Sequence, residues 1–352
     1  MNRRRYLGTL TAGLAVGGLA GCLDDLQATS RSDADRTAGN GDGATDDGDD
    51  GTGSTDDSTT DGSAGRDEAD REIRLAAGRL NRAGASLRES RDSLEDPEST
   101  DYDSEEPQAF LDEALESLEA AEDADPTEAQ RADIEELNAY AAVLGPAIEV
   151  TAVVTDDGLE DEVAQVNDAI VDEDLVTARS VAESLVDTFA PAQETLQPAL
   201  EGVESLDADR LADLAITDLA AVEDGVRTLA SVVDSLVVLS TSLVSLVDGH
   251  EALEEGGNLA DEEAFDEACT AFDDAATIYA DTEASLEDGH ADAPEGLVAY
   301  FETALCQVDH LEQAAVAFTE AAKAADDGDR RTAEEREADA EEQLELAEAC
   351  GT

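Results

Sequence analysis

The chain has 352 residues, of which 90 are acidic and 20 are basic, so its formal net charge is −70. This composition excludes nucleic acid as a partner, because the chain has no basic stripe to neutralise phosphates. It also excludes a wholly disordered acidic chain, since 41% of the residues are apolar and they recur with a pattern. The chain has a large excess of carboxylates and a single lysine, Lys323, so its charges repel one another at low salt. Molar salt shortens the Debye length to about 3 Å and screens this repulsion, so the composition predicts a protein for very salty water.

The first 22 residues have the layout of an export signal rather than of a folded segment. Arginines at 3–5 precede a short apolar run over 7–21, which ends in Leu19 and the small residues Ala20 and Gly21 before Cys22. Small residues let an enzyme approach the backbone, and a cysteine thiol is the nucleophile that accepts a lipid.

This segment resembles a twin-arginine lipoprotein signal. Arg3 and Arg4 match its arginine pair, and Tyr6-Leu7 stands where that pattern has Phe-Leu. The resemblance implies folding before export, cleavage before Cys22, and a lipid on Cys22 that holds the mature chain at the extracytoplasmic face of the membrane. A chain that combines this signal with an acidic, lysine-poor composition resembles the secreted proteins of halophilic archaea. The alternative is an uncleaved anchor, but the apolar run is shorter than the about 20 residues that span a bilayer.

Residues 22–66 predict a disordered tether, because they are mainly Gly, Ser, Thr and Asp and cannot bury enough apolar area to fold. From Asp67 onward, apolar residues recur at spacings of three and four, which predicts an all-α chain. The fold class expected is an elongated multi-helix bundle or an irregular α-solenoid, divided into sub-bundles over 67–206 and 207–352. The predicted helices cover 67–94, 106–124, 127–154, 159–171, 174–189, 207–247, 259–287, 295–325 and 329–349, with breaks or kinks at Pro191 and Pro198.

The longest predicted helix carries an apolar seam with alternating spacings of four and three, which indicates neighbouring helices on that side. The seam consists of Val222, Val226, Leu229, Val233, Leu236, Ser240, Leu243 and Val247. The rival interpretation is a membrane span over 229–247. Asp234 opposes it, because a carboxylate in mid-bilayer costs several kcal/mol.

Two short patterns recur in the chain. Ser-Leu-x-Asp-Gly-His occurs at 245–250 and again at 285–290. The second pattern begins with an alanine, has an aromatic residue or leucine four positions later, and ends with an alanine three positions after that. It occurs at 114–121, 268–275 and 314–321. The second pattern resembles the second helix of a tetratricopeptide repeat, although the copies are not a constant 34 residues apart and the first-helix landmarks are missing.

Three cysteines follow Cys22 in the chain, and an exported protein can keep disulfides. A bridge between Cys269 and Cys306 would join neighbouring helices, whereas Cys350 is an alternative partner and one thiol is left over in either case. Buried, reduced cysteines that pack as small apolar residues are the other interpretation.

The candidates for metal ligands are His250 and His290, with Asp248 and Asp288 beside them, in what the Asp-Gly-His sequence predicts to be turns. No cysteine pair has zinc spacing and no EF-hand loop is present, so no specific metal site or cofactor is predicted.

The inventory of reactive motifs predicts a protein that is not an enzyme. The chain has no Gly-x-Ser-x-Gly elbow, no phosphate-binding glycine loop and no tryptophan. The predicted function is that of a surface lipoprotein, a helical scaffold or interaction module whose partner is another cell-envelope protein. The alternatives are a helical ligand-binding lipoprotein of a transport system and a surface protein that handles divalent metals.

Overall fold

The computed structural model describes residues 60–94, 102–156, 158–172, 174–217 and 219–350. Over these ranges the chain forms ten α-helices and one 3₁₀ turn without any strand, so the all-α, multi-helix bundle is confirmed. The signal residues Arg3, Arg4, Leu19, Ala20 and Gly21, the cysteine Cys22, and the tether as far as residue 59 lie outside the described residues.

Six helices precede the longest one. They are α1 (Thr60–Leu94), α2 (Glu105–Asp123), α3 (Glu128–Val154), α4 (Gly158–Val171), α5 (Leu175–Ser205) and the short α6 (Ala208–Asp213). Helices α1, α2 and α3 pack against one another, and α5 packs against both α3 and α4. Their shared core is built from alanine, leucine, valine and isoleucine, with Tyr140 and Phe189 as its large aromatic members.

The longest helix, α7 (Leu219–Asp261), belongs to both halves of the described chain. It packs against α1, α3 and α5, and it also packs against α8 (Phe265–Ala291). A 3₁₀ turn (Glu295–Leu297) then leads into α9 (Val298–Asp326), which packs against α8 and against α10 (Arg330–Ala349). With 43 residues at 1.5 Å each, α7 is a rod about 65 Å long.

The predicted seam of α7 is confirmed. Val222, Val226, Leu229, Val233, Ser240, Leu243 and Val247 are buried, and Leu236 is half-buried against the same core. The spacing of the seam identifies this face because residues three and four apart lie above one another on a helix.

The first helix begins at Thr60, inside the segment predicted as tether, rather than at Asp67. Tertiary contacts hold the last two residues of the extension, Gly65 and Arg66. Gln130 on α3 donates hydrogen bonds from Nε2 to the carbonyl oxygen of Arg66 at 2.9 Å and to Oδ1 of Asp70 at 2.6 Å. Gly65 lies so close to the backbone of Ala124 that a Cβ there would be 2.7 Å from the carbonyl oxygen. The polar composition of this segment therefore gave the wrong boundary.

The break predicted at Pro191 and Pro198 is wrong, because α5 runs through both prolines to Ser205. Both prolines lie on the exposed side of the helix, where water can hydrate the carbonyls that lose an amide donor. The opposite face buries Ala192, Leu196 and Ala199, so packing outweighs the missing hydrogen bonds.

The single helix predicted over 207–247 is also wrong, since the chain turns between α6 and α7. Ala215 adopts a positive φ of 59°, and Asn81 from α1 holds the turn. Its Nδ2 donates to the carbonyl of Ala215 at 2.8 Å, and its Oδ1 accepts from the backbone N–H of Thr217 at 2.9 Å. Helix α7 then continues to Asp261, past residue 247, where the predicted helix ends.

Candidate functional site

The two Asp-Gly-His segments are helical, so the predicted turns are wrong. Residues 248–250 lie in the second half of α7, and residues 288–290 form the last full turn of α8. In both copies the glycine faces an aromatic ring of the following helix. A Cβ at Gly249 would overlap the ring of Tyr279, and one at Gly289 would lie 2.8 Å from the ring of Phe301.

The histidines of the repeat contact the same two rings. The ring centroids of His250 and Tyr279 are 6.2 Å apart in an edge-on arrangement, and those of His290 and Phe301 are also 6.2 Å apart. The repeat therefore encodes a helix contact, glycine and histidine against an aromatic ring, that is used once between α7 and α8 and once between α8 and α9.

His250, His290, Asp248 and Asp288 do not form a metal-binding group anywhere in the described part of the chain. Helices α7 and α8 pack so that Gly289 lies opposite Val238, which is 12 residues from His250. That separation is about 18 Å along a helix, too far for one ion to bind both imidazoles. Asp248 instead pairs with the guanidinium of Arg179 on α5.

His250 is a buried histidine of the core. Its exposed fraction is 8%, its Nδ1 has no hydrogen-bond partner, and the hydroxyl of the adjacent Tyr279 has none either. Burial lowers the pKa of His250 to about 4 and raises that of Tyr279. A charged imidazole is therefore excluded from the folded state near neutral pH.

The pattern that resembles a tetratricopeptide helix forms buried packing faces. All nine of its positions are buried, namely Ala114, Leu118, Ala121, Ala268, Phe272, Ala275, Ala314, Phe318 and Ala321. The rings of Phe272 on α8 and Phe318 on α9 stack with centroids 5.2 Å apart and planes 22° apart. Two copies of the pattern thus form one helix–helix contact.

Of the pairings that the sequence left open, Cys269–Cys306 is wrong, because the structure joins Cys306 to the alternative partner Cys350 and leaves Cys269 free. Cys269 Sγ lies 3.7 Å from the carbonyl oxygen of Thr319 on α9. Cys306 is 13 residues from Thr319, about 20 Å along the same helix, so it is out of reach. The end of α10 returns to the first turns of α9 and brings Cys350 to Cys306, with Cα atoms 5.8 Å apart.

The disulfide lies beside a histidine. Ligand atoms of Cys306, His310 and Cys350 are all within 4.8 Å of one another, and the three residues are half-buried. Nδ1 of His310 lies 2.8 Å from Oε1 of Gln343 on α10. The motifs of the sequence did not indicate this group, although Cys306 and His310 have the spacing of four that places two side chains on one helix face.

A shallow groove separates α5 from α7. Its floor is apolar, with Leu196 and Val233 buried and Leu200 and Ala230 half-buried, and its volume is about 310 Å³. Its rim is polar and includes Gln193, Gln197 and Asp234, of which Gln193 donates from Nε2 to Oδ1 of Asp234 at 2.7 Å.

Two of the described helices, α3 and α7, are long and apolar enough to cross a membrane when judged by length and composition alone. Both pack against several other helices here, and a core helix passes the same test.

Comparison with protein-family models, with curated proteins and with solved structures gives no match to this chain. Its function is therefore inferred from its own residues and their geometry.

Proposed function

We propose that the protein is a non-enzymatic helical scaffold, held by a lipid on Cys22 at the extracytoplasmic face of the membrane, that binds another cell-envelope protein in a salty exterior. The signal over 1–22 and the acidic segment that follows it support the anchor and the spacer. The observation that carries the interaction is the groove between α5 and α7.

The groove suits an amphipathic helix of a partner protein. Leu196, Leu200, Ala230 and Val233 offer an apolar strip between two long helices, which is the geometry that receives an apolar helix face. In molar salt the attraction between exposed charges is screened, whereas the hydrophobic effect persists, so an apolar contact is the interaction that holds there.

The rim of the groove indicates the polar residues of the partner. Asp234 and Glu194 border the apolar strip, and the whole chain carries a net charge of −70. A partner helix with uncharged or basic residues flanking its apolar face is complementary to this rim at contact distance, whereas molar salt screens the more distant charges.

Crosslinking on living cells in molar salt, followed by purification of the intact chain, tests the interaction. We expect one cell-envelope protein to be captured by the natural chain and lost from Ala230→Glu, which places a charge on the floor of the groove. Gln197→Arg, at the exposed rim, should reduce capture without affecting the core. Val176→Glu is the matched control, because Val176 is 80% exposed and lies on α5 outside the groove. Equal capture by all four proteins, each with unchanged helical circular dichroism, would overturn the proposed interface.

The anchor is tested separately with Cys22→Ser. We expect the natural chain to fractionate with membranes, to begin at Cys22 and to carry a lipid mass on that residue. We expect the variant to be released into the medium. A natural chain that begins at Met1 without lipid, or a variant retained by membranes, would contradict the lipid anchor.

A further inference from the structure

The half-buried group formed by Cys306, His310 and Cys350 has more ligand atoms than a disulfide uses. Cys306 and His310 are four residues apart on α9, and Cys350 directly follows α10. Their sulfur and nitrogen atoms lie within 4.8 Å of one another. In a tetrahedral zinc site, bonds of about 2.3 Å to sulfur and about 2.0 Å to nitrogen place the ligand atoms roughly 3.5–3.8 Å apart. Conversion of one arrangement into the other requires the two sulfur atoms to separate once the bond between them is reduced.

We propose that, when the Cys306–Cys350 bond is reduced, Cys306, Cys350 and His310 bind a borderline-soft divalent cation of the Zn²⁺ class, with a fourth position open to water. Two thiolates and one imidazole are the ligands that such ions prefer, whereas Mg²⁺ and Ca²⁺ prefer oxygen ligands. The two thiolates therefore distinguish this group from the numerous surface carboxylates, which offer oxygen ligands only.

Gln343 orients the imidazole of His310. The 2.8 Å contact pairs Oε1 of Gln343 with Nδ1 of His310, and the amide oxygen can only accept a hydrogen bond. The proton therefore lies on Nδ1, which leaves the lone pair of Nε2 for a metal ion. A hydrogen bond to the outer nitrogen of a ligating histidine is the usual way in which proteins fix its tautomer and its direction.

The disulfide and the metal ion exclude each other, because each uses both sulfur atoms. A low-molecular-weight dithiol gives two electrons and two protons to the Cys306–Cys350 bond and becomes a disulfide itself, while two protein thiols form. Binding of M²⁺ then replaces both thiol protons by sulfur–metal bonds and releases two protons. In the reverse direction, a low-molecular-weight disulfide accepts the two electrons of the metal-bound thiolates and becomes a dithiol, the Cys306–Cys350 bond forms again, and the ion is released. The end of α10 is thus held to α9 in either state, by a covalent bond or by a metal ion.

The test uses Co²⁺, which takes the place of Zn²⁺ and has a visible spectrum. The chain carries Cys22→Ser to remove that thiol, is kept in molar salt, is reduced with dithiothreitol, and is freed from it under anaerobic conditions. We expect one Co²⁺ per chain with the near-ultraviolet charge-transfer absorption of thiolate–cobalt bonds, and its loss when Zn²⁺ is added. The oxidised chain should show no such absorption, and Co²⁺ bound to surface carboxylates does not produce it.

Variants separate the three ligands from the rest of the molecule. Cys306→Ser or Cys350→Ser should weaken the charge-transfer absorption and lower the affinity for Co²⁺ at least about tenfold. His310→Gln and Gln343→Leu should keep the absorption and lower the affinity by about 10- to 100-fold. Cys269→Ser is the matched control, because Cys269 is a free cysteine on α8 near Thr319, and its affinity should be unchanged.

Four outcomes would overturn the proposal. The reduced chain could lack thiolate–cobalt absorption, His310→Gln could bind Co²⁺ as tightly as the parent, or Cys269→Ser could abolish the absorption. A reduced parent chain that loses its helical circular dichroism and does not regain it with Co²⁺ would do the same, because the site requires α9 and α10 to be packed together.

Discussion

At the scale of single residues, the close approach of α7 to α8 depends on the missing side chain of Gly249. Tyr279 is fully buried, so its ring cannot swing away from an added methyl group. Protein interiors are packed as densely as organic crystals, and an extra carbon there forces shifts of backbone or of rotamers. The glycine of the repeat is thus a packing residue and not a source of flexibility.

Gly249→Ala should destabilise the fold by about 2 kcal/mol, within the range for overpacked cores. Gly225→Ala is the matched control on the same helix, because a Cβ there meets no atom within 4 Å. That change should stabilise the fold by about 0.5–1 kcal/mol, since alanine loses less backbone entropy in a helix than glycine does. Urea unfolding in molar salt measures both, and equal shifts of the two midpoints would contradict the packing role.

The buried His250 predicts a dependence of stability on pH. Its pKa in the folded state is about 4, below the ordinary value of about 6.5, so the folded state disfavours the proton that the unfolded chain binds. The contribution of the neutral His250 to the free energy of unfolding is complete above about pH 6.5 and is lost as the pH falls towards 4. The full loss is about 3 kcal/mol, since each unit of difference between the ordinary pKa and the pKa in the folded state corresponds to about 1.4 kcal/mol.

His250→Leu isolates this effect, because every other titrating group, including Asp248, Glu251 and Arg179 close by, is the same in both proteins. Relative to the variant, the natural chain should lose about 3 kcal/mol of unfolding free energy between pH 6.5 and pH 4. Denaturant unfolding at constant molar salt measures the difference, with His290→Leu as the control histidine. Parallel pH profiles of unfolding free energy for the natural chain and His250→Leu would show that His250 does not cause the pH dependence of stability.

At the scale of helices, α10 is held by a narrow apolar face and one covalent link. Ala333, Ala340, Leu344 and Ala347 are its buried apolar residues, and most of its remaining surface is charged. The Cys306–Cys350 bond closes a loop with a sequence separation of 44 residues, which restricts the unfolded chain.

The paired change Cys306→Ser and Cys350→Ser should therefore lower the free energy of unfolding by about 3 kcal/mol, in the range for natural disulfides. It should also speed amide hydrogen exchange in α10 more than in α3, because the link acts on one end of the bundle. Both readouts are measured under oxidising conditions in molar salt. Cys269→Ser should change neither, and a double variant with natural stability would contradict the stabilising role of the link.

Helices are predictable from this sequence where the local pattern and the packing agree. The seam from Val222 to Val247 is visible because its spacing reflects burial on one face. The continuation of α5 through Pro191 depends on burial of its opposite face, and the turn at Ala215 depends on Asn81, which is 134 residues away. The pairing of Cys306 with Cys350 depends on the register of α9 against α10. Such contacts between distant segments have no signature in the local sequence.

At the scale of the whole molecule, arginines connect helices while most carboxylates have no basic residue to pair with. Arg79 on α1 pairs with Glu113 on α2 at 3.0 Å, and Arg210 on α6 pairs with Asp133 on α3 at 2.7 Å. With 20 basic residues against 90 acidic ones, such pairs can neutralise only a minority of the negative charge. The remaining carboxylates repel one another across the surface of the bundle.

Removal of salt should therefore unfold the bundle. Between 1 M and 0.1 M salt the Debye length grows from about 3 Å to about 10 Å, so each carboxylate interacts with many more of its neighbours. Salt also strengthens apolar contacts, and its loss weakens a core that is rich in alanine. We expect the helical circular dichroism of the natural chain to be complete in molar NaCl and largely lost at 0.1 M, and the urea midpoint to fall steadily between them.

Sucrose in place of NaCl is the control, because it favours compact states without screening charge and should rescue the fold only in part. Replacing the exposed carboxylates of α10, Glu342 and Glu345, by glutamine should lower the salt concentration at the midpoint, whereas unchanged helicity at 0.1 M NaCl would show that the negative surface does not govern stability.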